Sequence, residues 1–379
     1  MITFFFICII NLIYIYFGYP VLILVLSLIA GRTVEKASYE PMVTILISAY
    51  NEEKHIGATI ENKLSLNYPR RKLEIIVISD GSEDRTDEIV RSFEDQGVIF
   101  LRQEPRNGKT SALNLAVSHA RGEILVFSDA NSIYDHDALR YLIENFDDPG
   151  VGYVTGKMVY VNSDGTTIGD GCTAYMKYEN QLRVYETRLG SIVGVDGGID
   201  AVRRELYRPM KADQLPDFVL PLMVVEQGYR VVYESRALLK EETLKGSEDE
   251  YRMRVRVSLR ALWALWDMRK LLNPRRYGLY SFQLLSHKIL RYLAILFMIG
   301  SFVSNVLILK KARLYQILFI IQVLFYGASI AGHMLEKRGL SSRMFYIPYY
   351  FCLINGAAGH ALIRFLRGEK QVMWAPRKG

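Results

Sequence analysis

Two kinds of apolar pattern divide the chain. Four stretches run without a charged side chain: Met1–Gly31, Tyr292–Leu309, Leu314–Leu335 and Met344–Ile363. A helix crossing a bilayer needs about 20 apolar residues, so each stretch predicts a crossing, the second with help from its flanks. The first lacks a basic n-region and a clear small-x-small cleavage site, and its apolar stretch is too long for a signal peptide. It reads as a retained transmembrane helix. About 260 residues of mixed polarity separate it from the second stretch.

In that interval short β-branched runs alternate with helical patterns. Strands are predicted at Met42–Ala49, Leu73–Ser79, Val98–Leu101 and Glu123–Ser128. Helices follow them at Glu52–Leu66, Ser82–Phe93, Lys109–Ala120 and Asp135–Phe146. Continuous apolar strands alternating with helices predict an α/β domain whose mostly parallel sheet is covered on both faces. Beyond Gly150 the pattern loosens into a strand over Val151–Val161, a long helix over Ile168–Arg188 and a Gly-rich turn. At 251–276, Val255, Leu259, Leu262, Trp263 and Trp266 recur at helical spacing among Arg and Lys. That pattern suits an amphipathic helix in the plane of a membrane interface, or a solvated basic helix packed on the domain. The resulting domain plan is a transmembrane helix at 1–31, a catalytic domain at 40–245, interfacial helices at 246–287, three transmembrane helices at 288–366 and a basic tail at 367–379.

Charge sharpens this picture. The net charge is +7, yet residues 1–250 hold 26 Lys/Arg against 37 Asp/Glu, while the last 129 hold 21 against 3. A nucleic-acid binder places its basic excess on the folded domain. Here the excess flanks apolar runs, as juxtamembrane charge does, which argues against nucleic acid and for a lipid bilayer as partner. Cys8, Cys172 and Cys352 are too few for a disulfide framework and form no C-x-x-C pair.

In open α/β sheets the ligand sits beyond the carboxyl ends of the strands. Tyr50, Asn51 and Glu52 follow the first strand, Asp80 follows the second, and Asp129 the fourth. Capping competes as an explanation for Ser82 and Asp84, because Ser and Asp are common helix N-caps. No G-x-G-x-x-G follows a strand. The N-G-K-T at Asn107–Thr110 is not a P-loop, since Gln103 stands where that motif needs Gly. Lys109 nonetheless opens a helix, a place suited to one phosphate or carboxylate. Asp129 and Asn131, two oxygen donors two residues apart, suit a hard divalent cation that completes its shell with phosphate and water.

In this order, ISAYNEE, ISDGSEDRT, RNGKTSALN, FSDAN, GVDGGIDAVRREL and LPDFVLPLMVVEQGYRVVYE resemble the motifs of the family 2 glycosyltransferases. These are the inverting GT-A enzymes that include hyaluronan, chitin and cellulose synthases, and the likeness runs from about Val43 to Trp266. It implies a GT-A, Rossmann-like domain and a UDP-sugar donor, with Tyr50, Glu52, Asp80, Ser82, Lys109 and Asp129 around the nucleotide. It implies Mg²⁺ or Mn²⁺ at Asp129 and Asn131, and Asp217 as catalytic base, although Asp217 also suits the N-cap of a helix over Phe218–Gly228. The acceptor, a glycan or a lipid-linked glycan, would meet Val195, Asp196, Gly197 and Gly198, with Arg256 and Trp263. Three motifs depart from the family pattern. Ala49 replaces a usual Pro, and Asn131 replaces the second Asp of D-x-D. The Q-x-x-R-W of processive members becomes Met253–Val257, keeping Arg256 but losing Gln and Trp, which Trp263 or Trp266 would have to replace.

The expectation is an inverting transferase at the inner membrane, its catalytic domain cytosolic, acting in surface polysaccharide synthesis. The alternatives are addition of a single sugar to a polyprenyl-linked acceptor, or a transport subunit with a nucleotide-binding domain. Three spans after a cytosolic domain leave the basic tail outside, against the positive-inside tendency. A re-entrant last segment, broken near Pro348 or Asn355-Gly356, would resolve the conflict.

Overall fold

The structure, a computed structural model, describes residues 1–161, 167–242, 246–340 and 342–371. The Cys172 side chain and residues 372–379 of the basic tail lie outside the described residues. The chain divides into a helical unit, containing Met1–Ile29, 167–182 and most of 246–370, and a sheet unit, containing Ala30–Val161 and Arg183–Glu241.

The helical unit begins with α1 (Ile2–Ile13) and α2 (Tyr19–Ala30), joined by a π-helical turn at Tyr14–Gly18. In the sheet unit α3 (Ile56–Leu64), α4 (Thr86–Arg91), α5 (Lys109–His119) and α6 (Ala138–Glu144) follow strands in turn. The strands are β1 (Val43–Ala49), β2 (Leu73–Ser79), β3 (Val98–Arg102), β4 (Ile124–Asp129), β5 (Ile133–Tyr134), β6 (Val151–Val161), β7 (Ile199–Arg203) and β8 (Arg230–Glu242). They form one sheet in the order β3-β2-β1-β4-β7-β6-β8-β5. Every residue of β1 and β2 is buried, as expected where helices cover both faces.

The sheet is mixed. Strands β3-β2-β1-β4 run parallel, with Ala49 beside Ser79 and Ser48 beside Asp129. The β4–β7, β6–β7 and β5–β8 pairs are antiparallel. The parallel half matches the expectation from periodicity; the antiparallel half replaces it beyond β4, where the alternation of strand and helix stops. The register puts the ends of β1, β2 and β4 on one edge, so Tyr50, Asp80 and Asp129 leave the sheet on the same side.

The remaining helices are α7 (Thr167–Leu189), α8 (Pro216–Glu226), α9 (Ser247–Asp267), the short α10 (Pro274–Tyr277), α11 (Leu279–Leu284) and α12 (Leu290–Tyr292), then α13 (Ala294–Ile308), α14 (Arg313–Glu336) and α15 (Arg343–Leu366). By length and composition, Ile2–Ala30 and α14 are apolar enough to cross a membrane. Leu279–Tyr292 with α13, bent by 56°, makes a third if the pair is one span. α15 carries the fourth charge-free stretch but is not among them. Its Ala357 and Ala361 pack with Val255 and Leu259 of α9, so the apolar stripe of α9 faces α15, and Trp266 stays 55% exposed.

Candidate active site

Each parallel strand hands its last residues to a loop, and hydrogen bonds fasten these loops together. Ser82 Oγ accepts from the Asn51 amide at 3.1 Å, Thr86 Oγ1 from the Glu52 amide at 2.8 Å, and Asp84 from the Glu53 amide at 3.1 Å. Asn51 returns the contact, accepting from the Glu83 amide at 2.8 Å, and itself has φ of 53°. Asn tolerates that left-handed geometry better than most residues. Ser82 thus holds a loop, and Asp84 also accepts from the Thr86 amide at the start of α4. The guanidinium of Arg106 lies 3.3 Å from the centre of the Tyr50 ring, a cation–π stack at the mouth of this edge.

Asp80 is buried and fully engaged. Its oxygens accept from the backbone amides of Asn107 and Gly108, both at 2.9 Å, and from Gln103 Nε2 at 2.5 Å. It therefore fixes the loop that opens α5, and Gly108 enters that helix with φ of 89°. Lys109, the first residue of α5, is delivered to Asp129. Its Nζ lies 2.5 Å from Asp129 Oδ1 and 3.9 Å from Asp217 Oδ1. The three side chains are 21%, 38% and 28% exposed respectively, reachable from solvent but partly desolvated. Burial alone would lower the Lys109 pKa. The charges of Asp129 and Asp217 outweigh it and hold the ammonium above the ordinary lysine value.

Asp217 stands in the first turn of α8, after Pro216. Leu215 is the N-cap, and no side chain makes a capping bond there, so Asp217 is not a cap. Its carboxylate lies against the Gly-Gly turn instead. A Cβ on Gly197 would meet Asp217 Oδ2 at 2.9 Å; one on Gly198 would meet Ser132 Oγ at 3.2 Å and Asp129 Oδ2 at 3.5 Å. Both glycines have φ near 75°, which side chains rarely tolerate. The turn is thus wedged between the two carboxylates.

Asp196, in the same turn, is buried in an ion pair with Arg183 of α7 at 2.5 Å, and Arg183 Nε donates to the Gly194 carbonyl at 3.1 Å. Val195 and Asp196 are held in place by this pair. Arg256 and Trp263 belong to the helical unit. Trp263 Nε1 donates to the Glu369 carbonyl at 2.8 Å, and its ring meets Phe365 edge-on at 4.6 Å.

A further acid, Asp200 on β7, was not anticipated. It is buried beside Thr155 in the ladder, with neither oxygen in a well-formed hydrogen bond among the described residues. Burial, reinforced by the charge of Asp217, raises its pKa from 3.8 to about 8. The folded chain then holds a proton that the unfolded chain has lost, so stability falls as pH rises from 3.8 toward 8. Asp200→Asn should raise the thermal midpoint at pH 8 by about 2–6 °C, with the gain shrinking toward pH 4. A gain independent of pH in thermal melts would contradict this.

Asp129 and Asn131 offer oxygen donors, the right chemistry for Mg²⁺ or Mn²⁺. No group of three or more His, Cys, Asp or Glu that could hold a metal occurs among the described residues. The donor set therefore fits a cation that takes most of its shell from diphosphate and water. The ammonium on Asp129 marks the same spot as attractive to positive charge.

Fold and site together define a class. The sheet is GT-A-like, and residues 44–209 match the family "Glycosyl transferase family 2", so the chain carries a family 2 glycosyltransferase domain. Among curated proteins it is 30% identical over 254 residues to the poly-beta-1,6-N-acetyl-D-glucosamine synthase of Staphylococcus aureus (strain COL), covering 63% of this chain and 59% of that one. It is 29% identical over 245 residues to the Staphylococcus epidermidis protein of the same name, covering 60% and 58%. The match thus spans less than two thirds of these relatives. A solved mannosyltransferase from Pyrobaculum calidifontis, in complex with GDP-Man and Mn²⁺, shares the fold with a TM-score of 0.74 at 22% identity, over 97% of this chain and 99% of that one.

Proposed function

We propose that this chain is an inverting glycosyltransferase that moves a sugar from a UDP-sugar to a glycan acceptor at a membrane, in surface polysaccharide synthesis. The observation that carries this reading is the convergence of Asp129, Lys109 and Asp217 around the Gly197–Gly198 turn, at the edge where β1, β2 and β4 end. Inversion requires a base on the face of the anomeric carbon opposite the leaving diphosphate. Asp217 takes the proton of the acceptor hydroxyl as that oxygen attacks. Lys109 neutralises charge that develops on the departing diphosphate. Asp129 and Asn131 would hold a divalent cation, which supplies Lewis-acid stabilisation of the diphosphate when bound. Tyr50, stacked under Arg106, and Glu52 border the nucleotide; Asp80 and Ser82 keep its loops in place. The backbone of Val195–Gly198 lines the acceptor side. Ile2–Ala30 and α14 anchor the chain in the bilayer.

The name of the curated relatives makes UDP-N-acetylglucosamine the first donor to test. Purified full-length chain, incubated with a panel of UDP- and GDP-sugars and Mg²⁺ or Mn²⁺, should release UDP and extend a glycan. Release of nucleotide from GDP-sugars alone would overturn the donor assignment. Excess EDTA should cut turnover at least tenfold, with recovery on adding Mn²⁺. Turnover that persists in EDTA would remove the role given to Asp129 and Asn131.

Of the two tryptophans that could stack on an acceptor sugar in a polymerising enzyme, Trp263 already bonds to Glu369 and packs on Phe365, which leaves Trp266, 55% exposed, as the remaining candidate. Product analysis separates polymerisation from single addition: a ladder indicates a polymerase, a single added unit a non-processive enzyme.

A further inference from the structure

Lys63 on α3 is completely buried, yet its partners are neutral. Its amine donates to the Ser132 carbonyl at 2.6 Å and to Asn62 Oδ1 at 3.0 Å, and lies 3.5 Å from the centre of the Tyr134 ring. Burial pushes the Lys63 pKa well below the ordinary lysine value, with the charge of Asp129 pulling the other way. An apolar side chain would fill the same space more cheaply, so the hydrogen bonds that the amine donates need a reason.

Lys63 does not act alone. Thr59, one helical turn earlier, donates through Oγ1 to the Ala130 carbonyl at 2.7 Å. Asn62 grips Tyr134 twice, accepting from its amide at 2.8 Å and donating to its carbonyl at 2.9 Å. The three grips fall on residues 130, 132 and 134, while spacings of three and four bring Thr59, Asn62 and Lys63 onto one face of α3. Burial along the segment alternates in step: Ala130, Ser132 and Tyr134 are buried, whereas Asp129, Asn131 and Ile133 are partly exposed. The chain turns at Ala130 and Asn131, where the Ser132 amide donates to the Asp129 carbonyl at 3.2 Å, so α3 holds both the turn that carries Asp129 and Asn131 and the short strand β5 that follows it. The Tyr134 hydroxyl extends the contact, lying 2.6 Å from the Gly198 carbonyl and 3.0 Å from the Phe127 carbonyl.

We propose that Lys63, with Thr59 and Asn62, is a positioning group that sets Asp129 and Asn131 for a divalent cation and diphosphate, and sets the Gly198 turn through Tyr134. The inference rests on reading Asp129 and Asn131 as the cation end of the site. Lys63 reaches neither side chain through a bond of its own; it acts through the backbone that carries them.

The test measures Mn²⁺ binding directly, by electron paramagnetic resonance of free Mn²⁺ with the full-length protein and UDP, alongside thermal melts. Lys63→Met should weaken Mn²⁺ binding at least fivefold, and Thr59→Val about threefold. Wild-type Mn²⁺ affinity in folded Lys63→Met, even with a lowered thermal midpoint, marks a purely structural lysine and overturns the proposal. Should Lys63→Met fail to fold, Thr59→Val decides by the same criterion. Asp129→Asn separates this inference from the reading beneath it: unchanged Mn²⁺ binding in that variant refutes the cation site itself. Weakened binding in Asp129→Asn together with unchanged binding in folded Lys63→Met refutes the clamp alone.

Discussion

Asp217→Asn should lower transfer by at least about 10³-fold while donor affinity stays within about threefold of wild type. Asn keeps the shape of the side chain but cannot accept the acceptor proton. The helix it sits on does not depend on the carboxylate: Pro216 starts α8 and Asp217 makes no capping bond. The contact with Gly197 is steric, and the amide preserves it. The ion pair with Lys109 is long, at 3.9 Å, and Lys109 keeps its shorter partner in Asp129. Loss of turnover would thus report the missing base. The measurement is kcat for sugar transfer beside the Kd for nucleotide sugar; turnover within tenfold of wild type would end the assignment of Asp217.

The parallel half of the sheet was legible because its strands are buried on both faces, which leaves continuous β-branched runs with nothing else to explain them. β7 and β8 were not read as strands. β7 is five residues long, Ile199–Arg203, and carries Asp200 and Arg203, while β8 mixes Arg, Glu and Lys with its apolar positions. Their strand character depends on neighbours that no local pattern announces. The polar strand ends were legible as a group, but not what each side chain does. Asp80 is bonded to amides 27 and 28 residues away, and Asp196 to an arginine 13 residues before it. Such pairings are set by how loops return to one edge. Lys63 did leave a signal. It stands on the stripe of Ile56 and Ile60, and a lysine in an apolar stripe is either a breach of the pattern or a buried amine.

Lys109→Met should reduce kcat/KM by about 10²- to 10³-fold, the scale on which removing one preorganised group facing a developing anion is felt. Lys109 bonds to Asp129 and faces Asp217. With the ammonium gone, Asp129 and Asp217 face each other across the Gly197–Gly198 turn without the cation between them, and an incoming diphosphate adds further negative charge. Like charges in a partly desolvated place repel far more strongly than in water, so donor binding and turnover should both fall. The fold should survive, because α5 is pinned independently: Thr110 Oγ1 donates to the Gln214 carbonyl at 2.8 Å and Asn114 Nδ2 to the Met210 carbonyl at 2.7 Å. Lys109→Arg, which keeps the charge, should recover at least tenfold over Lys109→Met. Steady-state kinetics on the three proteins, with circular dichroism to verify folding, decides the matter. Equal activity in the Met and Arg variants would mean that the charge of residue 109 plays no part in departure of the nucleotide, and that its bond to Asp129 serves only to shape the edge.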